Sequence, residues 1–357
     1  MAAPSCLIPA NPDVAGIGVR LSVYIQAAST LIPATLKMME DQFREHTLPK
    51  NRRTMFYKTV VNWENILEVA TPNISLGIAL FISSIIQAHI YGLAVYHALI
   101  LLNLHLIIGF SVAPYFILSG NDKNNPDSIK GINPAYGALA FLHTVHLCCA
   151  AGFGLWLFAT IPNFDHASPN CTATTTYFVL GKKVAIASIA FRDSWIAIYS
   201  ILVIPYFNAA ILLVVSYGLY VVAVIPLLIP AFIIGIIIGF VSWCKPIKRS
   251  STELVLPLAT TFLVSLAPVA LVVFLTEATV RINQVSNGEN VWTFGQTIAI
   301  LIAVLPLWRV FKQTKATISR IRHGDTDPGL PTLPTTHPVN NTYSPPSPQK
   351  SHGKLLR

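Results

Sequence analysis

The chain has 357 residues, of which 53% are hydrophobic and only 11% charged, a balance that excludes a water-soluble globule and excludes disorder over most of its length. Its formal net charge of +9 would suit nucleic acid, but the Lys and Arg residues stand in short clusters beside apolar runs, as they do in loops that meet anionic headgroups. Nucleic acid is therefore excluded as a partner, and the lipid bilayer is expected in its place.

Met1 to Asp13 lacks the basic start and separate apolar core of a cleaved signal, so the first span is expected to direct insertion. That span is Val14 to Leu36, which carries Arg20, Gln26 and Pro33. Lys37 to Glu64 reads as a polar connection. No formal charge occurs from Val69 to Asn121, a length that holds two spans of about 20 residues each, turning near His89 to Gly92. Asn121 to Lys130 is polar, with Pro126 and Gly131 as breakers. Tyr136 to Ile161 is the next span, and Pro162 to Lys183 a loop carrying the sequon Asn170-Cys171-Thr172.

From Trp195 to Cys244 there is again no Asp, Glu, Lys or Arg, which predicts a hairpin of two spans divided near Ser216 to Gly218. Its second limb, Leu219 to Val241, must be helical despite its β-branched residues, because backbone groups in lipid have to be satisfied within the segment. Leu254 to Thr276 and Trp292 to Leu307 complete an all-α bundle of about eight spans, a membrane domain over residues 1–322. Residues 323–357 are rich in Pro, Thr and Ser, bury too little apolar surface to offset ordering entropy, and are expected to be a disordered tail.

Eight spans put both termini on one side. Counting Lys and Arg near span ends gives nearly equal totals for either orientation; the dense cluster Arg309, Lys312, Lys315, Arg320 and Arg322 favours cytosolic termini, which would leave the sequon at Asn170 unused. Entry of Val184 to Ser200 into the membrane would change the parity and make Arg192 and Asp193 an intramembrane pair. The cysteines number five, and Cys148 and Cys149 lie inside a span, so no disulfide framework is expected.

Three groups of residues bear chemistry. Glu277 ends the seventh span with Arg281 four residues on; a carboxyl at the interface is partly desolvated and can act as an acid, whereas the plain alternative is a helical i,i+4 ion pair. His89, His97, His105, His143 and His146 fall in uncharged regions, with His143 and His146 on one helix face. A metal there would need further ligands that the sequence does not supply, so hydrogen bonding to Asn103, Gln87 or Asn208 is expected, with no metal and no cofactor. Gly235 and Gly239 are spaced for close helix packing, and Pro205, Pro226 and Pro230 interrupt apolar helices as in transporters. In the run Asn121 to Asp127, Asn125 stands where a prenyltransferase metal motif needs a carboxylate and no second acidic motif follows, and no phosphate loop, His-Glu-x-x-His helix or nucleophile elbow occurs.

Asn11-Pro-Asp-Val-Ala-Gly-Ile-Gly-Val-Arg20 with Tyr24 and Gln26, the His146 to Trp156 span, and Trp292-Thr-Phe-Gly-Gln296 together resemble a broad family of fungal polytopic membrane proteins, a likeness that transfers no catalytic residues. In size and span count the chain is also similar to membrane-integral terpene cyclases of fungal meroterpenoid pathways, which protonate an epoxide with a carboxylic acid. That similarity implies an isomerase of secondary metabolism on a lipophilic terpenoid, in the endoplasmic reticulum or another endomembrane. Glu277 would be the proton donor with Arg281 and Asp193 beside it, and Trp195, Tyr199, Tyr206 and Trp292 would face a carbocation. The alternative is a small-molecule or ion transporter lined by His97, Asn103, His105, His143, His146, Asn208, Trp292 and Gln296.

Overall fold

The computed structural model describes residues 6–47, 63–120, 134–164, 169–179, 181–208, 210–212, 214–215, 218 and 252–323. Helix accounts for 79% of them. Among the described residues, five helices are long and apolar enough to cross a membrane: Pro12–Thr35, Val69–Tyr91, Val95–Tyr115, Gly137–Phe164 and Phe294–Lys312. The Leu219 to Val241 limb, the Asn121 to Lys130 connection, Gly235 and Gly239, Pro226 and Pro230, Cys244 and the tail beyond His323 lie outside the described residues. Met1–Thr317 form one compact unit and Ile318–Arg357 a second.

A single turn, α1 (Pro12–Ala15), leads through Gly16 into α2 (Ile17–Thr47). This helix runs well past the expected end of the first span at Leu36. Residues 37–47 include the strong helix formers Lys37, Met38, Met39, Glu40, Gln42, Arg44 and Glu45 and no Gly or Pro, so the helix outlasts the apolar stretch. Next, α3 (Trp63–Ile86) continues into a π-turn over Gln87–Tyr91. Gly92 then takes φ 76°, a left-handed conformation open mainly to glycine, and reverses the chain into α4 (Val95–Gly120). The turn lies where the uncharged run predicts it.

After α5 (Pro134–Phe164) comes a short helix, α6 (Pro169–Thr172), and then a feature outside the all-α expectation. Strands β1 (Thr176–Val179) and β2 (Lys182–Ala185) form an antiparallel hairpin with Thr176 opposite Ala185 and Val179 opposite Lys182. Gly181, at φ 84°, makes its turn. Helix α7 (Ile189–Leu202) follows, and a break at 203–206 separates it from the helical residues that resume at Phe207. Pro205 can donate no backbone hydrogen bond there, and Tyr206 adopts φ 68°, strained for a bulky side chain. Trp195 to Ser216 is therefore not one continuous span. Finally α8 (Thr252–Ile282) contains the whole of Leu254 to Thr276, and α9 (Phe294–His323) begins two residues after Trp292.

Helix α4 is the axis, packed by α2, α3, α5 and α8. Its apolar residues fall on every side, interrupted by the buried His97, Asn103, His105 and Ser111, and a helix of that kind belongs inside. Tyr96, Ile100, Leu104 and Ile107 share one core with Val19, Val23, Ala27 and Leu31 of α2 and Val272 of α8. Leu99 and Leu102 share another with Phe153, Leu157 and Phe158 of α5.

One end of the bundle is capped by the N-terminal segment. Ile8 donates to the Gln284 carbonyl at 3.0 Å and accepts from Ser286 N–H at 2.8 Å, a short parallel bridge to the α8–α9 loop. A disulfide, Cys6–Cys171, with Cα atoms 5.2 Å apart, ties the same segment to α6. This corrects the expectation of no disulfide. The odd count and the intramembrane pair Cys148/Cys149 hid a bond between residues 165 positions apart.

Candidate functional site

Arg20 enters the bundle one turn into α2. Its Nε donates to the Ala15 carbonyl at 3.0 Å, and its Nη1 to Glu277 Oε1 at 2.5 Å. Tyr24, four residues on and so on the same face, donates its hydroxyl to the same Oε1 at 2.8 Å. Arg20 is buried, whereas the Glu277 side chain is 36% exposed. The outward side of the carboxyl borders a groove of about 250 Å³ lined by Phe274, Glu277, Ala278, Arg281 and Ile282. Glu277 is thus paired with Arg20 and not, as the i,i+4 spacing suggests, with Arg281. An oxygen that accepts from two donors is an anchor; any proton would have to leave from the other oxygen, toward the groove.

A second carboxylate sits nearby in the fold, and nothing in the sequence singled it out. Glu289, in the α8–α9 loop, is buried beside His97, whose Nε2 lies 3.3 Å from Oε1 and 3.4 Å from Oε2. Asn11 N–H donates to its Oε2 at 2.7 Å. Tyr96, buried with its hydroxyl unpartnered, packs edge-on against the His97 ring with centroids 4.9 Å apart.

Gln296 fastens this region together. Its Nε2 donates to the carbonyls of Pro12, at 2.8 Å, and Val291, at 3.1 Å, and its Oε1 accepts from Gly18 N–H at 2.9 Å. A Cβ at Gly18 would lie 2.5 Å from the Gln296 side chain, so glycine is required for the approach. Thr293 donates to Asp13 at 2.6 Å. The opening motif and the Trp292 to Gln296 motif, far apart in sequence, are therefore two halves of one interface.

Deeper along α4 lies a histidine cluster. His105 Nδ1 and His146 Nε2 are 3.1 Å apart, and His143, also buried, has its ring centroid 6.5 Å from that of His146. His146 packs on Gly77 of α3, where an added Cβ would come within 2.5 Å of its Nε2. Further down, Asn73 donates to Ser111 at 2.7 Å, and Tyr115 to the Thr30 carbonyl at 2.7 Å. His105 also borders a cavity of about 20 Å³ shared with Tyr199 and Asn208. That is room for roughly one water. Among the described residues, no group of three or more His, Cys, Asp or Glu side chains is placed to hold a metal.

Other expected site residues are dispersed. Asp193 is exposed on α7 and shares no ion pair with Glu277, Arg281 or Arg192 among the described residues. Trp292 is 55% and Tyr206 82% exposed. Trp195 and Tyr199 stack on Phe158 at 5.8 Å each, in the core between α5 and α7 and not around Glu277. Asn208 bonds the Cys148 sulfur at 3.2 Å. Asn103 accepts from the Tyr177 hydroxyl at 2.6 Å, which docks β1 onto α4; burial pushes that phenol up to about 12 against the opposing pull of the hydrogen bond.

No family model, curated protein or solved structure matches the chain. The site is therefore read from its own chemistry. Glu289 carried no sequence signal, because a lone acidic residue in a polar loop is ordinarily solvated.

Proposed function

We propose that this protein is a membrane transporter or channel for small molecules or protons, with a pathway along α4. The observation that carries the reading is the run of buried polar groups in a membrane bundle: His97 with Glu289, Arg20 with Glu277, His105 with His146, and Asn73 with Ser111. From His97 to Ser111 this run covers roughly 21 Å of helix at about 1.5 Å per residue. That is most of a hydrocarbon core of about 30 Å. Polar and ionisable groups at that depth mark ion or substrate paths and proton relays. Two facing imidazoles can pass a proton, since each ring nitrogen serves as donor or acceptor according to tautomer.

The test is flux. Protein reconstituted in liposomes with an entrapped pH-sensitive dye should dissipate an imposed proton gradient. His105→Phe should reduce that flux at least tenfold while leaving the detergent-solubilised melting profile intact. Proton flux unchanged by His105→Phe would rule out the relay.

A second reading, a cyclase that protonates a lipophilic terpenoid, is supported by the groove beside Glu277, whose volume of about 250 Å³ approaches that of a small-molecule site. It needs the Glu277 oxygen not held by Arg20 and Tyr24 to carry the proton. Product formation from an epoxy-prenyl substrate, abolished in Glu277→Gln, tests it. The endoplasmic reticulum or another endomembrane is the compartment that reading favours.

A further inference from the structure

Three chain segments far apart in sequence meet at the capped end. The N-terminal segment is bonded to α6 through Cys6–Cys171 and to the α8–α9 loop through Ile8, while the β-hairpin is tied to the end of α8 by Asn283, which bonds Thr176 N–H at 2.9 Å and the Thr176 carbonyl at 2.7 Å. All three therefore occupy one side of the membrane. Walking the spans from there, α2 leaves the capped end, α3 returns, α4 leaves and α5 returns to Cys171. Helix α9 leaves again.

Charge follows the same partition. Lys37 and Arg44 in the last turns of α2, Lys248 and Arg249 ahead of α8 in the sequence, and Arg309, Lys312, Lys315, Arg320 and Arg322 toward the far end of α9 are the larger basic set, and α2, α8 and α9 all reach the opposite side. At the capped side, the basic residues near span ends are Lys182 and Lys183 of the hairpin, Arg192 in the first turn of α7 and Arg281 in the last turn of α8. Lys and Arg near span ends are retained in the cytosol. Disulfides form and persist in oxidising compartments and not in the cytosol. The two criteria use different residues and agree.

We propose that the capped end is extracytosolic, with Cys6 and Cys171 oxidised to a disulfide there, and that the opposite, basic end faces the cytosol. Oxidation removes two electrons and two protons from the thiols, and an oxidised disulfide-exchange partner of that compartment accepts them and becomes a dithiol. Parity follows as well. Helix α7 begins at the capped side, and α8, whose 31 residues make a rod of roughly 46 Å, ends there and so begins at the other. The N-terminal segment lies at the capped side and α9 leaves that side, so the two ends of the membrane domain lie on opposite sides, which requires an odd number of crossings. Eight spans do not satisfy this.

The experiment uses the full chain in eukaryotic membranes with two independent readouts. Denatured without reductant and treated with a polymer-tagged maleimide, it should gain three tags of the five possible, and all five after reduction; Cys6→Ser should gain four without reductant. Separately, a glycan acceptor added ahead of residue 1 should be glycosylated, and one added beyond α9 should not. Five tags without reductant would overturn the disulfide. An unmodified N-terminal acceptor would overturn the orientation, and glycan at both acceptors would overturn the odd parity even if the thiol count held.

Discussion

Glu277 is bound to Arg20, 257 residues earlier in the chain, and not to Arg281 on the next turn of its own helix. Breaking a buried ion pair strands a charge. Arg20→Met should therefore destabilise the protein by on the order of 2–3 kcal/mol, less than a fully buried pair because the Glu277 side chain is 36% exposed. Arg281→Ala, at an exposed residue, should lose under about 0.5 kcal/mol. Denaturation of both variants in detergent compares them directly; equal losses would contradict the assignment.

Gly18 should not tolerate a side chain. Gly18→Ala places a Cβ 2.5 Å from Gln296 and threatens the bond between Gly18 N–H and the Gln296 amide oxygen. The expected loss is about 1–3 kcal/mol, typical of overpacking. Gly137→Ala, where nothing lies within 4 Å of an added Cβ, is the matched control and should be neutral or stabilising.

Tyr177 makes stability depend on alkaline pH. Its folded-state pKa of about 12 lies above the ordinary tyrosine value of 10.0, so the unfolded chain loses that proton first. The contribution is complete below pH 10 and is lost as pH rises through about 12. Tyr177→Phe should lower stability at pH 8 by about 1 kcal/mol, through the unpaired Asn103, and should fall less steeply than wild type between pH 10 and 12. Parallel slopes would show that Tyr177 does not titrate this way.

Asn170 changes its expected fate. The sequence alone favours cytosolic termini and an unused sequon, whereas Cys171, in the middle of that sequon, is tied to the N-terminal cap proposed to be extracytosolic. Folding of α6 around the disulfide competes with modification, so Cys6→Ser should raise glycan occupancy above wild type. A glycosidase-sensitive mobility shift that disappears with Asn170→Gln is the readout; its absence from both proteins would remove Asn170 as an acceptor.

Much of the fold is legible in the sequence because the bilayer enforces it. A charge-free run of sufficient length must become a helix, so the turn at Gly92, the α5 span, the Leu254 to Thr276 stretch inside α8 and the start of α9 all follow from composition. The same rule fails where the helix outlasts the lipid, as in α2 beyond Leu36, and where backbone conformation interrupts an apolar run, as at Pro205 and Tyr206. What only the tertiary structure decides is partnership across distance. Spacing along one helix proposes Arg281 for Glu277 and nothing for Cys6 or Glu289. Their partners Arg20, Cys171 and His97 become neighbours only when α2, α4 and α8 pack together and the N-terminal segment folds over their ends. Local periodicity records which face of a helix is apolar; it holds no information on which distant helix will cover that face, because burial is non-directional and any apolar surface satisfies it.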